Sequence, residues 1–263
     1  GPVIGVAFDG TGYGTDGTVW GGEFLWADYG GFTRLGSLEP FPLAGGDRAA
    51  EEGWRAAVNL LGVIDPARAK EEALALGLGT EGEIVAQCLM AEKHLNCVTT
   101  TSAGRLFDAV SALLGIRRVS TFEGEAAMYL EAAAENFGVS TALPPPLLFE
   151  AAGFFRLPTR AIFQRLAAAR RKGEDPARLA AEFHAMLAAS IVAGCRAVRE
   201  ATGLSTAALS GGVFQNRLLL RLVTEGLAAD GFTVLRHHLI PPNDGGLALG
   251  QAVHALGKFM SEA

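Results

Sequence analysis

Residues 207–216 read Ala-Ala-Leu-Ser-Gly-Gly-Val-Phe-Gln-Asn, and they begin the stretch around which the chain is organised. This apolar strand and glycine turn lead into a predicted helix over residues 217–227. A second unit follows, with a strand over 232–236, the turn Pro-Pro-Asn-Asp-Gly-Gly at 241–246 and another helix. Glycines let the backbone approach a ligand closely, and helix starts expose N–H groups that favour anions. The stretch therefore predicts a phosphate site.

The N-terminal part of the chain predicts a three-stranded antiparallel meander. An apolar strand over residues 3–8 ends at Asp9, which faces the glycine-rich turn Gly10-Thr11-Gly12. Asp16-Gly17 is a strong hairpin signal before a second strand over 18–26, and residues 32–38 supply the third strand.

The remaining segments are mostly helical. Asp47 is the expected N-cap of a helix that ends at Gly62, Gly104 and Gly124 precede two more helices, and Asp175-Pro176 begins a long apolar one. Residues 142–146 are too rich in proline to continue a helix. The order of strands and helices predicts an α/β fold with a mixed sheet and helical insertions, as in a ribonuclease-H-like lobe of the actin-like ATPase (ASKHA) superfamily.

Composition narrows the class of protein. The 263 residues are 49% hydrophobic and 19% charged, with a formal net charge of −6, which argues against a nucleic-acid partner. Three cysteines without a Cys-x-x-Cys pair favour a reducing compartment, so we expect a cytoplasmic protein. No apolar run of the sequence reaches the length of a membrane span, and we expect no membrane partner.

Carboxylates accompany two of the three glycine turns. Asp9 and Asp244 would repel a phosphate unless a divalent metal bridged them to it, and turn capping is an equally good interpretation. Each glycine turn alone is more simply a tight turn, although three in one domain are harder to explain in that way. Asn216 either contacts a purine or caps a helix, and Asp108 is either a site residue or a solvated acid in the first turn of a helix. The histidines and cysteines are interpreted as structural.

Several motifs together resemble the C-terminal, Kae1-like part of the HypF carbamoyltransferases of nickel-iron hydrogenase maturation. The resemblance covers nearly the whole chain, and its most specific parts are Ser-Ala-Gly-Arg-Leu-Phe-Asp at 102–108 and Glu-Gly-Glu-Ala-Ala at 123–127. The other matching motifs are residues 8–12, 20–23, 45–47 with Trp54-Arg55, 209–213 with Asn216, and 244–247.

The resemblance implies carbamoyl transfer from carbamoyl-adenylate, made from ATP, to the C-terminal cysteine of a HypE-like acceptor protein. It implies a divalent metal, of unknown identity, held by Asp9 and Asp244. It also implies a nucleotide site, for which the residues are Asp9, Gly10, Thr11, Gly12, Gly104, Asp108, Glu123, Gly124, Ser210, Gly211, Gly212 and Asn216. No cysteine of the chain need react.

The resemblance further implies that residues 1–263 are mainly the second lobe of a Kae1-like domain, separated from an upstream lobe and N-terminal domains. Family members carry a histidine-rich segment before the first strand that supplies two metal ligands. We therefore expect weak metal binding and little complete transferase activity from this chain alone. Two alternatives stay open, an O-carbamoyltransferase acting on a small-molecule hydroxyl and a non-catalytic nucleotide-binding module. The related tRNA threonylcarbamoyl enzymes are disfavoured by the acidic charge.

Overall fold

The computed structural model describes residues 1–146, 149–151 and 153–262. Its centre is an antiparallel meander of β1 (Val3–Tyr13), β2 (Val19–Ala27) and β3 (Phe32–Leu38). The predicted hairpin turn is present, with Gly17 at a φ of 77° and Asp16 accepting the Thr18 N–H at 3.0 Å. The meander prediction is confirmed.

The first strand is longer than its apolar run predicts. β1 continues past Asp9 to Tyr13 through a bulge, in which residues 9–11 face the single Gly21 of β2. A bulge leaves the extra residues outside the ladder of hydrogen bonds. The prediction that β1 ends at Asp9 is therefore wrong, although Asp9 does leave the regular sheet.

The sheet is mixed because two parallel strands join the meander. β8 (Thr206–Ser210) lies parallel to β1, and β9 (Thr233–Arg236) lies parallel to β8. The resulting order, β3-β2-β1-β8-β9, is that of a ribonuclease-H-like lobe, as the sequence predicts.

Four short strands are additions that the sequence analysis missed. On the far side of β3 lie β7 (Phe154–Leu157) and β6 (Phe149–Ala151). The pair β4 (Phe41–Ala44) and β5 (Cys97–Thr100) attaches to β2 through Val19 and Thr100.

Helices alternate with the strands along the chain and pack against the sheet. Their bounds are α1 (Arg48–Glu51), α2 (Gly53–Ile64), α3 (Ala69–Ala75), α4 (Glu81–Glu92), α5 (Ala103–Leu113), α6 (Glu125–Phe137), α7 (Thr159–Arg171), α8 (Pro176–Thr202), α9 (Arg217–Ala229) and α10 (Leu247–Glu262). Asp175 caps α8 through the Ala177 N–H at 3.0 Å, which confirms the predicted start.

The predicted helix after Asp47 has different limits. Asp47 has helical backbone angles and its side chain caps nothing, and the chain forms α1 and α2 in place of one helix. Gly62 does not end α2, which continues to Ile64. The residue before a proline avoids the helical region, so Asp65, which precedes Pro66, ends the helix.

The core lies between the sheet and α8. A Cβ on Gly36 of β3 would lie 2.4 Å from the Phe155 ring, and one on Gly194 of α8 would lie 2.7 Å from the Phe24 ring. The aromatic rings therefore pack directly on glycine backbone. By length and apolar composition, α8 is the one helix in the described part of the chain that could cross a membrane, but 78% of its most apolar window is buried in this core.

The last helix, α10, buries much less apolar surface than α8 does. Leu247, Leu249 and Leu256 of α10 are all more than half exposed. Its docking includes a 3.0 Å contact between His254 Nδ1 and the Tyr29 carbonyl oxygen.

Candidate functional site

Four segments meet where β1 and β8 reach the carboxyl edge of the sheet. The bulge of β1 is bound to the start of α5, because the Ser102 hydroxyl donates to the Gly10 carbonyl oxygen at 2.5 Å. The turn after β8 is bound to the turn before α10, because the Gly211 N–H donates to the Pro242 carbonyl oxygen at 3.0 Å. The prediction that the glycine turns share one edge is confirmed.

Asp9 connects two of these turns. Its Oδ1 accepts the Gly10 N–H at 2.8 Å and the Gly212 N–H at 3.3 Å. The turn-capping interpretation of Asp9 is therefore correct as far as Oδ1 is concerned. Oδ2 accepts no hydrogen bond from the residues that the structure describes, so one carboxylate oxygen remains available to a ligand.

The glycines at this edge permit backbone to pack on backbone. A Cβ on Gly104 would lie 2.8 Å from the Gly10 Cα, and one on Gly211 would lie 2.0 Å from the Phe8 carbonyl oxygen. Gly12 also lies against the Trp20 carbonyl, at 3.3 Å from a Cβ position. Glycine is therefore required at positions 104 and 211 before any ligand is considered, whereas at position 12 a Cβ would only be tight.

A cavity of about 350 Å³ opens beside this edge, between the starts of α6 and α9. It is lined by five of the predicted nucleotide residues and by seven others. The predicted ones are Gly104, Glu123, Gly124, Gly212 and Asn216, and the others are Phe107, Ala127, Met128, Glu131, Val213, Gln215 and Arg217. Residues from three separate parts of the sequence, 104–107, 123–131 and 212–217, thus form one concave site.

Asn216 is both a cap and a wall of the cavity. Its Oδ1 accepts the Leu219 N–H at 2.8 Å, which makes it the N-cap of α9. Its Nδ2 lies 3.0 Å from Nε2 of His184, a fully buried histidine of α8. The sequence analysis missed this partner, because His184 is a lone polar residue on an apolar helix face.

Glu131 is a second missed residue of the cavity. Its Oε1 accepts the Leu218 N–H at 3.0 Å, so it caps the same helix start as Asn216. Burial raises the pKa of this carboxyl group, against the lowering effect of the backbone hydrogen bonds. The three- and four-residue spacing of Gly124, Ala127 and Glu131 is the signal that places them on one helix face.

Asp108 lies apart from the cavity walls. Its side chain is buried, with Oδ2 3.0 Å from a guanidinium nitrogen of Arg105 but without hydrogen-bond geometry. Burial raises the pKa of Asp108 to about 6, because it outweighs the attraction of Arg105. The alternative interpretation as a solvated acid is wrong, and its contact with a nucleoside stays a prediction.

Asp244 lies on the segment that abuts Asp9. It begins a short 3-10 turn at residues 244–246 and is exposed. A Cβ on Gly212 would lie 3.0 Å from Asp9 Oδ1 and 3.7 Å from the Asn243 Cβ, so the two aspartates belong to neighbouring segments. Among the described residues, no three His, Cys, Asp or Glu side chains are arranged so that they could hold a metal ion together. Two carboxylates suit a hard ion such as Mg²⁺, which usually keeps waters and phosphate oxygens as its other ligands.

The hairpin that carries the bulge is held by a buried acid. Glu23 Oε2 accepts the N–H groups of Gly21 and Gly22 at 2.7 and 2.6 Å, and Oε1 accepts from Thr101 Oγ1 at 2.5 Å and from Arg34 at 3.0 Å. Gly21 faces the bulge, and Thr101 precedes α5. Glu23 thus fixes the bulge and the start of α5 relative to each other.

Ser210 ends β8 at the same edge. Its hydroxyl lies 3.1 Å from His237 Nε2, at the end of β9. The cavity lining does not include the other seven predicted nucleotide residues, which are Asp9, Gly10, Thr11, Gly12, Asp108, Ser210 and Gly211.

Comparison with known proteins identifies relatives over nearly the whole chain. The family described as "Carbamoyltransferase, Kae1-like Domain, second subdomain" matches residues 5–251. The "Carbamoyltransferase HypF" of Rhodobacter capsulatus is 44% identical over 262 residues, which are 99% of this chain and 33% of the relative. A "Carbamoyltransferase HypF homolog" of Cupriavidus necator is 42% identical over an alignment of 261 residues that covers 95% of this chain and 64% of the relative.

Two solved structures share the fold. A full-length HypF in its phosphate- and nucleotide-bound form is 34% identical, with a TM-score of 0.90, and the match covers 99% of this chain and 33% of that one. The T. kodakarensis HypF is 30% identical, with a TM-score of 0.84, and 99% of this chain matches 34% of it. The chain thus spans about a third of the length of these two proteins.

Proposed function

Because the chain belongs to the family of Kae1-like carbamoyltransferase domains, second subdomain, we propose that it forms the nucleotide-binding part of a carbamoyltransferase. The observation that carries the proposal is the cavity of about 350 Å³, whose walls include five residues predicted from the sequence to bind nucleotide. The nucleoside part of the bound nucleotide occupies the cavity, and the phosphate part lies toward the glycine edge. The nucleotide-bound HypF, which this chain resembles, supports that ligand.

The glycine edge suits a phosphate group. Gly10, Gly12 and Gly211-Gly212 keep side chains out of the edge, and the N-terminal ends of α5 and α9 lie beside it. Helix N-termini attract anions through the helix dipole, and at α9 this is the remaining attraction, because Glu131 and Asn216 already bind the Leu218 and Leu219 N–H groups.

We assign a divalent ion to the two aspartates of this edge. Asp9, through Oδ2, and the exposed Asp244 would hold it. A bound ion of this kind offsets negative charge on a phosphate leaving group. The protein's own contribution is to orient Asp9, since Oδ1 is fixed by two backbone N–H groups.

The acceptor in this proposal is the C-terminal cysteine of a HypE-like protein. A thiolate of that protein would attack the carbamoyl carbon of carbamoyl-adenylate, with AMP leaving and a thiocarboxamide forming. The cysteines of this chain are poor nucleophiles, because burial raises the pKa values of Cys88, Cys97 and Cys195. We place this activity in the cytoplasm, where unpaired thiols stay reduced.

Calorimetric titration with ADP and ATP, with and without Mg²⁺, tests the nucleotide site. Asp9→Asn keeps an oxygen acceptor for the Gly10 and Gly212 N–H groups but removes the charge, and Asp244→Asn removes the second charge. We expect each variant to lose the Mg²⁺-dependent part of nucleotide affinity by about tenfold or more, as for lost charge-assisted contacts.

A matched control is Asp28→Asn, because Asp28 Oδ1 likewise accepts two backbone N–H groups, from Gly30 and Gly31. That turn joins β2 to β3 beside the start of β1, at the opposite edge of the sheet, and the substitution should leave nucleotide affinity unchanged. Nucleotide binding that is unaffected by Mg²⁺ and by both site substitutions would favour the non-catalytic module.

Mass spectrometry of a HypE-like C-terminal peptide and of small hydroxyl compounds as acceptors, using the full-length protein, separates thiol from hydroxyl transfer.

A further inference from the structure

His184 forms two hydrogen bonds whose directions are forced. Its Nδ1 lies 2.8 Å from the Ala180 carbonyl oxygen, which can only accept, so Nδ1 carries the proton. In the neutral imidazole, Nε2 is then an acceptor. The atom of Asn216 that faces Nε2 at 3.0 Å must be the amide nitrogen, which donates.

The other end of the Asn216 amide gives the same answer. The Leu219 N–H at 2.8 Å is a donor and requires the amide oxygen. If the amide were reversed, its NH₂ group would face the Leu219 N–H, and two donors would be opposed. The Ala180 carbonyl and the Leu219 N–H therefore fix the His184 tautomer and the Asn216 orientation together.

Burial makes this arrangement costly unless both bonds form. His184 is fully buried, and its ring contacts the rings of Phe107 and Phe183 edge to face, with centroids 5.5 and 5.6 Å apart. An apolar side chain would fill this space without the cost of burying polar nitrogens. What the imidazole does that an apolar side chain could not do is accept the hydrogen bond from Asn216, behind the cavity wall.

The fixed amide group of Asn216 can offer a ligand only a hydrogen-bond donor. Asn216 and Phe107 both contact His184, and both line the cavity. One Nδ2 hydrogen of Asn216 is used by His184, and Oδ1 is used by Leu219. The second Nδ2 hydrogen has no partner among the described residues, so it is the donor left for a ligand.

We propose that His184 is a positioning residue, which holds Asn216 so that its remaining N–H is offered to a hydrogen-bond acceptor of the bound nucleotide. The inference rests on the proposed nucleotide site. A ring nitrogen of the base or a ribose oxygen is the class of acceptor that such a donor selects.

Three variants separate positioning from packing. His184→Gln offers an amide oxygen to Asn216, whereas His184→Leu keeps an apolar side chain and offers none. We expect the ADP affinity, measured by calorimetry, to fall about tenfold in His184→Leu and to stay within about threefold of the wild type in His184→Gln, as for one buried hydrogen bond.

Asn216→Asp supplies the spectroscopic test. The aspartate keeps the acceptor for the Leu219 N–H but places a second acceptor opposite Nε2, so His184 should take up a proton. Imidazole ¹⁵N NMR at pH 7 should show His184 as a neutral Nδ1–H tautomer in the wild type and as an imidazolium in Asn216→Asp. In His184→Gln the His184 signal should be absent.

Three results would overturn the inference: an Nε2–H tautomer in the wild type, unchanged ADP affinity in His184→Leu, or equal losses in His184→Leu and His184→Gln. A wild-type chain that binds no ADP would instead contradict the proposed function. The tautomer and the hydrogen exchange of the Asn216 side-chain amide, which should quicken in His184→Leu, would still decide whether His184 fixes Asn216.

Discussion

Gly211→Ala is expected to lower the free energy of unfolding by about 2–5 kcal/mol, the sum of overpacking against a rigid wall and left-handed backbone strain. The new Cβ would lie 2.0 Å from the Phe8 carbonyl oxygen and 2.5 Å from its carbon. Both belong to the central strand β1 and cannot turn aside as a side chain would. The φ of Gly211 is 100°, so the alanine is also strained in itself.

Urea unfolding compares this variant with Gly231→Ala. Gly231 also has a positive φ, 79°, but no atom lies within 4 Å of its Cβ position. We expect that control to cost about 1 kcal/mol, the backbone strain alone. Equal losses in the two variants would mean that Gly211 does not require its close contact with β1. If Gly211→Ala is too unstable to purify, the soluble yields of the two alanine variants in cells give the comparison.

The second large effect is a decrease in the free energy of unfolding at acidic pH, which we attribute to His184. Burial lowers the pKa of His184 from 6.5 to about 4, and the Ala180 hydrogen bond only partly opposes it. Between these values the unfolded chain binds the proton and the native protein does not. The free energy of unfolding therefore falls as the pH drops from about 6.5 to 4, by about 3 kcal/mol in total.

Asp108 has the opposite effect over nearly the same range. Burial raises its pKa from 3.8 to about 6, so the native state binds the proton first and stability rises as the pH drops through 6. The two groups partly cancel in the wild type. Comparing Asp108→Asn with Asp108→Asn/His184→Gln isolates the histidine.

Urea unfolding at pH 7.5 and 4.5 measures the effect. The decrease between the two pH values should be larger in Asp108→Asn than in the double variant by about 2–3 kcal/mol. Other carboxyl groups titrate equally in both proteins and drop out of the difference. Parallel pH profiles would show that the pKa of His184 is the same in the native and the unfolded protein.

The sequence predicted the elements whose signals are local. Residues 32–38 were predicted as an extended stretch that follows the hairpin, and β3 has those limits. Asp175-Pro176 gives the start of α8, because a cap and a first-turn proline act within a few residues. The glycine turns were recognised for the same reason.

The strands β4 to β7 were missed because long-range pairing creates them. Phe41 pairs with Thr100 and Leu38 with Leu157, and a strand of three or four residues has too short a pattern to show its period. The site was incomplete for a similar reason. His184 and Asn216 are 32 positions apart, and only the packing of α8 on α9 shows that one orients the other.

The exposed leucines of α10 have a consequence for the order in which the molecule opens. A helix with so little buried apolar surface should exchange its amide hydrogens through local opening, whereas β1, at the middle of the sheet, should exchange through global unfolding. Asp244 stands at the foot of that helix and Asp9 in that strand. The two proposed metal ligands therefore belong to cooperative units of very different local stability, so an ion that joined them would protect α10 more than any other part of the chain.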